Sequence, residues 1–311
     1  MNISPTSDEK ITAALVHGSV LLMFLGPIVP VLMWASQRKK SKYVSFHALQ
    51  AMGYQTLIFW LWFAGVILIV LLGTCLILPL SILVMRNSHN AAFAPFLFQI
   101  FIFAVVFGLM GLFILMGLIG AVYCLLGREF RYPLFGQWLE QYLAYDTNPE
   151  SRIDETHEEN WVAGICHATI ILRWFGIITP LVVWFTQKEH SARLRFQSMQ
   201  AILYQGIGIV AAILGMTLYM LVFFGVFFSL FAAGQMNGNK EIQGVGAVIM
   251  LIFFGIIMVF WFVFFIVVPL YYLLAGFASI RVIRGHHFRY PILGKLLEKR
   301  MEKPQSLEVL S

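Results

Sequence analysis

Four stretches of this chain, Tyr43–Met85, Asn87–Gly127, Phe196–Asn239 and Ile242–Ile280, contain no Asp, Glu, Lys or Arg. Each exceeds the roughly 20 residues that a helix needs to cross a hydrocarbon core of about 30 Å. Apolar residues fill 60% of the 311 positions and charged residues only 12%, against roughly 25% in soluble domains. An integral membrane protein is therefore expected. The runs are long and continuous, unlike the alternating strands of about ten residues in an outer-membrane barrel. An α-helix satisfies its own backbone groups in lipid, so the expected fold class is all-α.

The chain also repeats itself. Phe46, His47, Gln50, Ala51, Tyr54 and Gln55 are answered by Phe196, Gln197, Gln200, Ala201, Tyr204 and Gln205, at an offset of 150. His17, Gly26, Pro30, Trp34 and Gln37 are answered at the same offset by His167, Gly176, Pro180, Trp184 and Gln187. Gly127-x-x-Phe130-Arg131-Tyr132-Pro133 returns as Gly285-x-x-Phe288-Arg289-Tyr290-Pro291, now 158 positions on, so the second copy holds eight extra residues. The organisation read from this is a first membrane repeat over 1–143, an acidic linker over 144–160, a second repeat over 161–302 and a disordered tail over 303–311. The linker carries Asp146, Glu150, Asp154, Glu155, Glu158 and Glu159 against a single Arg152, and reads as a solvated, flexible connector.

Each repeat holds three apolar segments. The first, Ile11–Ser36, is broken by Gly26-Pro27-Ile28-Val29-Pro30, since proline removes a backbone donor and kinks a helix. The second is charge-free for 43 residues from Tyr43, which as one helix would reach about 65 Å, twice the hydrocarbon core. It is expected to divide into an interfacial or cavity-facing helix over Tyr43–Gln55 and a tilted span ending near Pro79. The third covers Phe93–Leu126, matched by Val245–Ile283. Two topologies remain open. If the first segment crosses the membrane, the repeats are inverted, and Arg38, Lys39, Lys40 and Lys42 face the side opposite Lys188, Arg193 and Arg195. If it is re-entrant, the basic residues outside the membrane share one side except Arg86 and Lys240, which obeys the positive-inside rule better. That count favours four full spans plus two re-entrant or kinked elements.

The candidate site residues lie on helix faces. His47, Gln50, Ala51 and Tyr54 are spaced i, i+3, i+4, i+7 and share one face, as do Gln197, Gln200, Ala201 and Tyr204. Polar groups so placed hydrogen-bond between helices or line a cavity. His17 and His167 hold matching places in the broken first segments. The three histidines His17, His47 and His167 lack metal-ligand spacing, and Cys75, Cys124 and Cys166 lie far apart as small packing residues. No metal and no cofactor is expected. Arg173 stands in an apolar stretch where the first copy has Met23. A buried arginine in lipid costs from about 2.5 to more than 10 kcal/mol, so it must reach water, headgroups or an anionic group.

Arg131 and Tyr132, and likewise Arg289 and Tyr290, are expected to anchor the repeats at the headgroup level. After them, Leu134, Trp138, Leu139 and Tyr142, and Ile292, Leu296, Leu297 and Arg300, suggest amphipathic surface helices. Net charge is +6, which in such a chain points to anionic headgroups and not to nucleic acid. No phosphate-cradling Gly-rich loop with Lys, no His-Glu-x-x-His, no Gly-x-Ser-x-Gly and no pair of intramembrane carboxylates is present, so no enzyme is expected.

A His in the first apolar segment, a Pro-x-x-x-Trp end, Phe-His-Ala-x-Gln-Ala, Tyr-Gln and a closing Gly-x-x-Phe-Arg-Tyr-Pro together resemble a family of small bacterial membrane proteins of unknown function. That family is similar to the twenty-kilodalton, channel-like component of the chloroplast inner-envelope protein-import (Tic) complex. The resemblance covers residues 11–140 and 161–300. It implies a multi-pass protein of the bacterial cytoplasmic membrane, a non-enzymatic scaffold or channel-like component in protein translocation or membrane assembly. Its implied partners are the lipid bilayer, other membrane proteins or further copies of itself. The alternative is a small-solute or ion transporter with a site between the repeats.

Overall fold

The computed structural model describes residues 5–77, 79–80, 83, 93–133, 135–148, 151–235 and 240–301. Arg86, Leu134, Glu150 and the tail over 303–311 lie outside them. Every regular element among the described residues is helical. The first repeat contains α1 (Ser7–Gly18), α2 (Ile28–Gln37), α3 (Lys42–Leu72), α4 (Phe93–Leu125) and α5 (Gly136–Tyr142). The second contains α6 (Glu155–Ala168), α7 (Ile178–Gln187), α8 (Ala192–Gln235), α9 (Lys240–Ile283) and α10 (Leu293–Met301). Each element of the first repeat has its counterpart in the second.

The broken first segment is a re-entrant hairpin. A capping box starts α1: the Glu9 amide donates to the Thr6 hydroxyl at 3.3 Å, and the Thr6 amide to the Glu9 carboxylate at 2.8 Å. After Gly18 the chain tightens into a 3₁₀ turn, Ser19–Leu25, and reverses at Met23, whose φ is 54°. The second repeat does the same over Thr169–Phe175, with Arg173 at φ 56°. Gly26 and Gly176 follow each reversal; a β-carbon there would run into the Ser19 or Thr169 carbonyl. The ends of each hairpin then meet. Ser41, just past α2, donates its hydroxyl to Glu9 near the start of α1. Ser191, just past α7, donates to Glu159 at 2.7 Å. Chain entering and leaving at one level cannot have crossed the membrane between.

Among the described residues, four helices are long and apolar enough to cross: Lys42–Ile69, Gln99–Leu125, Ala192–Ser229 and Met250–Ile283. α1 packs on α3 and α4, and α2 packs on α3, so the hairpin encloses the start of α3. Phe46, Leu49, Gln50 and Gln55 are fully buried, whereas Leu61 is 68% exposed. α3 runs unbroken past Gln55, so the separate helix expected over Tyr43–Gln55 does not form; what changes there is burial, where the hairpin ends. The remaining 22 residues to Ile77, closed by a π-helical turn at Gly73–Ile77, reach about 33 Å, which matches the hydrocarbon core. α8 and α9 are 44 residues each and expose their distal parts nearly all round. The molecule is a packed head from which four long helices project.

The repeats are parallel. Arg38, at the end of α2, donates to Glu158 at 2.8 Å and Glu159 at 3.3 Å at the start of α6, and to Gln187 at 3.1 Å at the end of α7. The Trp34 indole donates to Glu158 at 2.6 Å, and the Trp161 indole to the Leu49 carbonyl at 3.0 Å. The hairpin mouths of both repeats thus lie side by side, and the inverted arrangement is excluded for this structure. The acidic stretch also departs from expectation. Asp154 caps α6 through the His157 amide at 2.8 Å, and Glu155–Asn160 forms its opening turns, because those carboxylates face Arg38 and the positive end of the α6 dipole. Upstream, Tyr145 stacks on Phe46 at 3.9 Å. The connector is a strap packed on the head.

Candidate functional site in the buried polar layer

The polar faces of α3 and α8 point into the head, where the chain has backbone groups without helical partners. α4 and α9 both end in a glycine of left-handed conformation, Gly127 at φ 69° and Gly285 at φ 83°. The next residues close a Schellman cap: Arg128 N donates to Tyr123 O and His286 N to Arg281 O, both at 3.0 Å. The following Phe-Arg-Tyr segments are non-helical, and glutamine side chains satisfy them. Gln50 donates to the Phe130 carbonyl at 3.1 Å and accepts from the Tyr132 amide at 2.8 Å. Gln200 makes the same pair with Phe288 at 3.1 Å and Tyr290 at 2.6 Å.

Gln55 and Gln205 serve the hairpin. Gln55 donates to the Val16 carbonyl at 3.2 Å and Gln205 to the Cys166 carbonyl at 2.9 Å, acceptors left open where α1 and α6 end. Tyr54 and Tyr204 donate to the carbonyls of Phe113 at 3.2 Å and Tyr271 at 3.0 Å. They also stack on Tyr132 and Tyr290, with ring centroids 3.7 and 3.9 Å apart.

Tyr132 and Tyr290, expected as headgroup anchors, are instead buried, at 1% and 2% exposure. Their hydroxyls meet His17 Nδ1 at 2.9 Å and His167 Nδ1 at 3.2 Å. A tyrosine whose ring is stacked and whose hydroxyl is bonded gains nothing from the interface. Their neighbours stay nearer the surface. Arg131 holds Glu140 through two bonds of 2.8 Å, and Arg289 holds Glu298 at 2.5 Å. The Arg131 guanidinium keeps the Glu140 carboxyl below its usual value.

The two repeats differ at the centre of this layer. In the second, His167 Nε2 meets Gln197 Oε1 at 2.9 Å, and Gln197 donates to the Phe288 carbonyl at 3.2 Å. In the first, His17 Nε2 lies 3.0 Å from His47 Nδ1, and Cys124 Sγ lies 3.6 Å from that same nitrogen. His17, His47 and Cys124 are all buried, with their donor atoms within 4.8 Å of one another. His167, considered beside the other two histidines in the sequence, belongs to its own repeat's layer. Cys124 is the residue that sequence reasoning missed. The signal was present at the second offset, where Cys124 aligns with Val282, the same exchange of repeats that turns His47 into Gln197.

Arg173 does not join this layer. It sits exposed at the tip of the second hairpin, close enough to Tyr272 to act on it electrostatically. Gly208 lies against the Tyr271 ring, which a β-carbon would overlap.

Compared with known proteins, two segments, residues 8–139 and 158–297, match the model of the magnetosome magnetite crystal formation protein family. No curated protein and no solved structure matches the chain. The two matched segments span both hairpins, both buried layers and all four long helices. The chain belongs to the magnetosome magnetite crystal formation protein family, and carries its domain in tandem.

Proposed function

We propose that the protein is a non-enzymatic membrane scaffold of a bacterial cytoplasmic membrane or a compartment derived from it, where it assembles other membrane proteins. One observation carries this reading: Gln50, Tyr54, Gln55, Gln197, Gln200, Tyr204 and Gln205 on α3 and α8 bond within their own repeat, while the distal helices offer apolar surface. Leu61, Phe228 and Phe262 are 68%, 63% and 68% exposed. Polar groups bonded inside a repeat do not line a path, which weighs against the channel-like variant. The family's description supports a membrane at which magnetite crystals form. The resemblance to the chloroplast import component supports a role beside other membrane proteins. Neither favours a nucleic-acid partner.

A photo-crosslinking residue at Phe228 or Phe262, activated in native membranes, tests this. Discrete protein adducts, to other membrane proteins or a second copy, are the expected result. Adducts to lipid alone at both positions would contradict it.

A small-solute or ion transporter is the second reading, and Arg173 supports it. A charged group at a hairpin tip between apolar helices must meet water, headgroups or an anion. Arg173→Met should fold normally, because Met23 occupies the same backbone conformation, φ 54° against 56°. Under the transporter reading the variant loses solute flux in proteoliposomes; equal flux with and without wild-type protein removes that reading.

A further inference from the structure

We propose that His17, His47 and Cys124 form a binding site for one borderline transition-metal ion such as Zn²⁺, present in the first repeat and lost from the second. This goes beyond the scaffold reading and stands apart from it. Two imidazoles and a thiolate are the ligand types that Zn²⁺ and its neighbours prefer, and three protein ligands leave a fourth position for water or a carboxylate. The separations suit a tetrahedral ion. With metal–nitrogen bonds of about 2.0–2.1 Å and metal–sulfur bonds of about 2.3 Å, two nitrogens stand about 3.3 Å apart and nitrogen and sulfur about 3.6 Å. The structure has 3.0 Å between His17 Nε2 and His47 Nδ1, and 3.6 Å between His47 Nδ1 and Cys124 Sγ. The three donor atoms all lie within 4.8 Å of one another, so side-chain shifts of up to about 1 Å would seat the ion.

The outer contacts are those that orient metal-binding histidines. His17 presents Nε2 to the cluster because Nδ1 meets the Tyr132 hydroxyl at 2.9 Å. His47 Nε2, buried and without a hydrogen bond, lies 3.9 Å from the Glu129 carboxylate. Glu129 is 35% exposed in its side chain and is itself held by Arg131 at 2.7 Å and the Tyr145 hydroxyl at 3.1 Å. Binding would release the Cys124 thiol proton to solvent.

The second repeat supplies the comparison. There Gln197 bonds His167 at 2.9 Å in the place of His47, and Val282 fills the place of Cys124. A glutamine suffices to bond the hairpin histidine. A second imidazole together with a thiolate is more than that task requires, and both vanish together.

The experiment uses the full chain, purified in detergent with reduced thiols and titrated with Co²⁺. One equivalent should bind with a thiolate-to-cobalt absorption band that Zn²⁺ displaces. Cys124→Val and His47→Gln copy the second repeat and so suit the fold; each should abolish the band, while His167→Gln keeps it. Tyr132→Phe should weaken Co²⁺ binding about 10- to 100-fold. Absence of the band in the wild type, or its survival in either Cys124→Val or His47→Gln, overturns the proposal. Cys124→Ser gives the same readout should either of those variants fail to fold.

Discussion

Gln50 and Gln200 do the same work at the level of one side chain: a primary amide presents a donor and an acceptor side by side, as a strand neighbour would, to the Phe-Arg-Tyr backbone. Truncating Gln50 leaves the buried Tyr132 amide unpaired, at about 1–3 kcal/mol, while the Phe130 carbonyl keeps a donor in Arg131 at 3.3 Å. Gln50→Ala should therefore destabilise the head by about 1–3 kcal/mol, read as a lowered unfolding midpoint in detergent; a cost near zero would mean that water replaces the clamp. The sequence shows that these glutamines share a face with His47 and Tyr54, because helical spacing is local. It does not show what the face meets, because Tyr132 lies 82 positions from Gln50. That distance is also why the burial of Tyr132 and Tyr290 was illegible: an Arg-Tyr-Pro run after an apolar helix looks the same whether it anchors in headgroups or folds back.

Among the elements, the hairpins and their exits decide the architecture. The glycine and proline cluster at Gly26–Pro30 announces a break, but an apolar segment of that length can cross or return. What distinguishes the two is one polar contact, Ser41 to Glu9, across 32 positions. Hydrogen bonds from Ser41 and Thr6 hold the Glu9 carboxyl below its usual value although burial works against this, so it meets Ser41 as a charged acceptor. The ends of α4 and α9 depend on glycine in the left-handed region. Gly285→Ala meets open space, the nearest atom being Asn160 Nδ2 at 3.6 Å. Its cost should be that of the conformation, about 1–2 kcal/mol, measured as a shift in unfolding midpoint. Gly127→Ala should cost more, because its β-carbon would also displace the Lys10 side chain, 2.6 Å away. The strap was misread as a solvated linker since carboxylates usually face water; here Glu158 is 5% exposed, held by Trp34 and Arg38.

At the scale of the whole molecule, the duplication gives two similar repeats that share one packed head, with four long apolar helices among the described residues, and Arg38 ties the repeats together beside Trp34 and Trp161. The Arg38 side chain is 5% exposed and its partner Glu158 is 6%. Arg38→Ala strands a buried carboxylate, a loss of about 3–5 kcal/mol, and should lower the unfolding midpoint in detergent accordingly, while the core shared by the repeats keeps them joined. The eight-residue excess lies between Gln205 and Gly285, within the stretch that α8 and α9 span, where added residues lengthen a helical pair without disturbing the head. Parallel repeats put Arg38, Lys39, Lys40, Lys42, Lys188, Arg193 and Arg195 on one side, the arrangement that the positive-inside rule favours. The most direct measurement is accessibility of single cysteines at Lys40 and Ala192, both exposed at hairpin mouths, in a background without Cys75, Cys124 and Cys166. With re-entrant hairpins, a membrane-impermeant thiol reagent labels both positions from the same side of sealed vesicles. Labelling from opposite sides would contradict the re-entrant hairpins and the parallel repeats together.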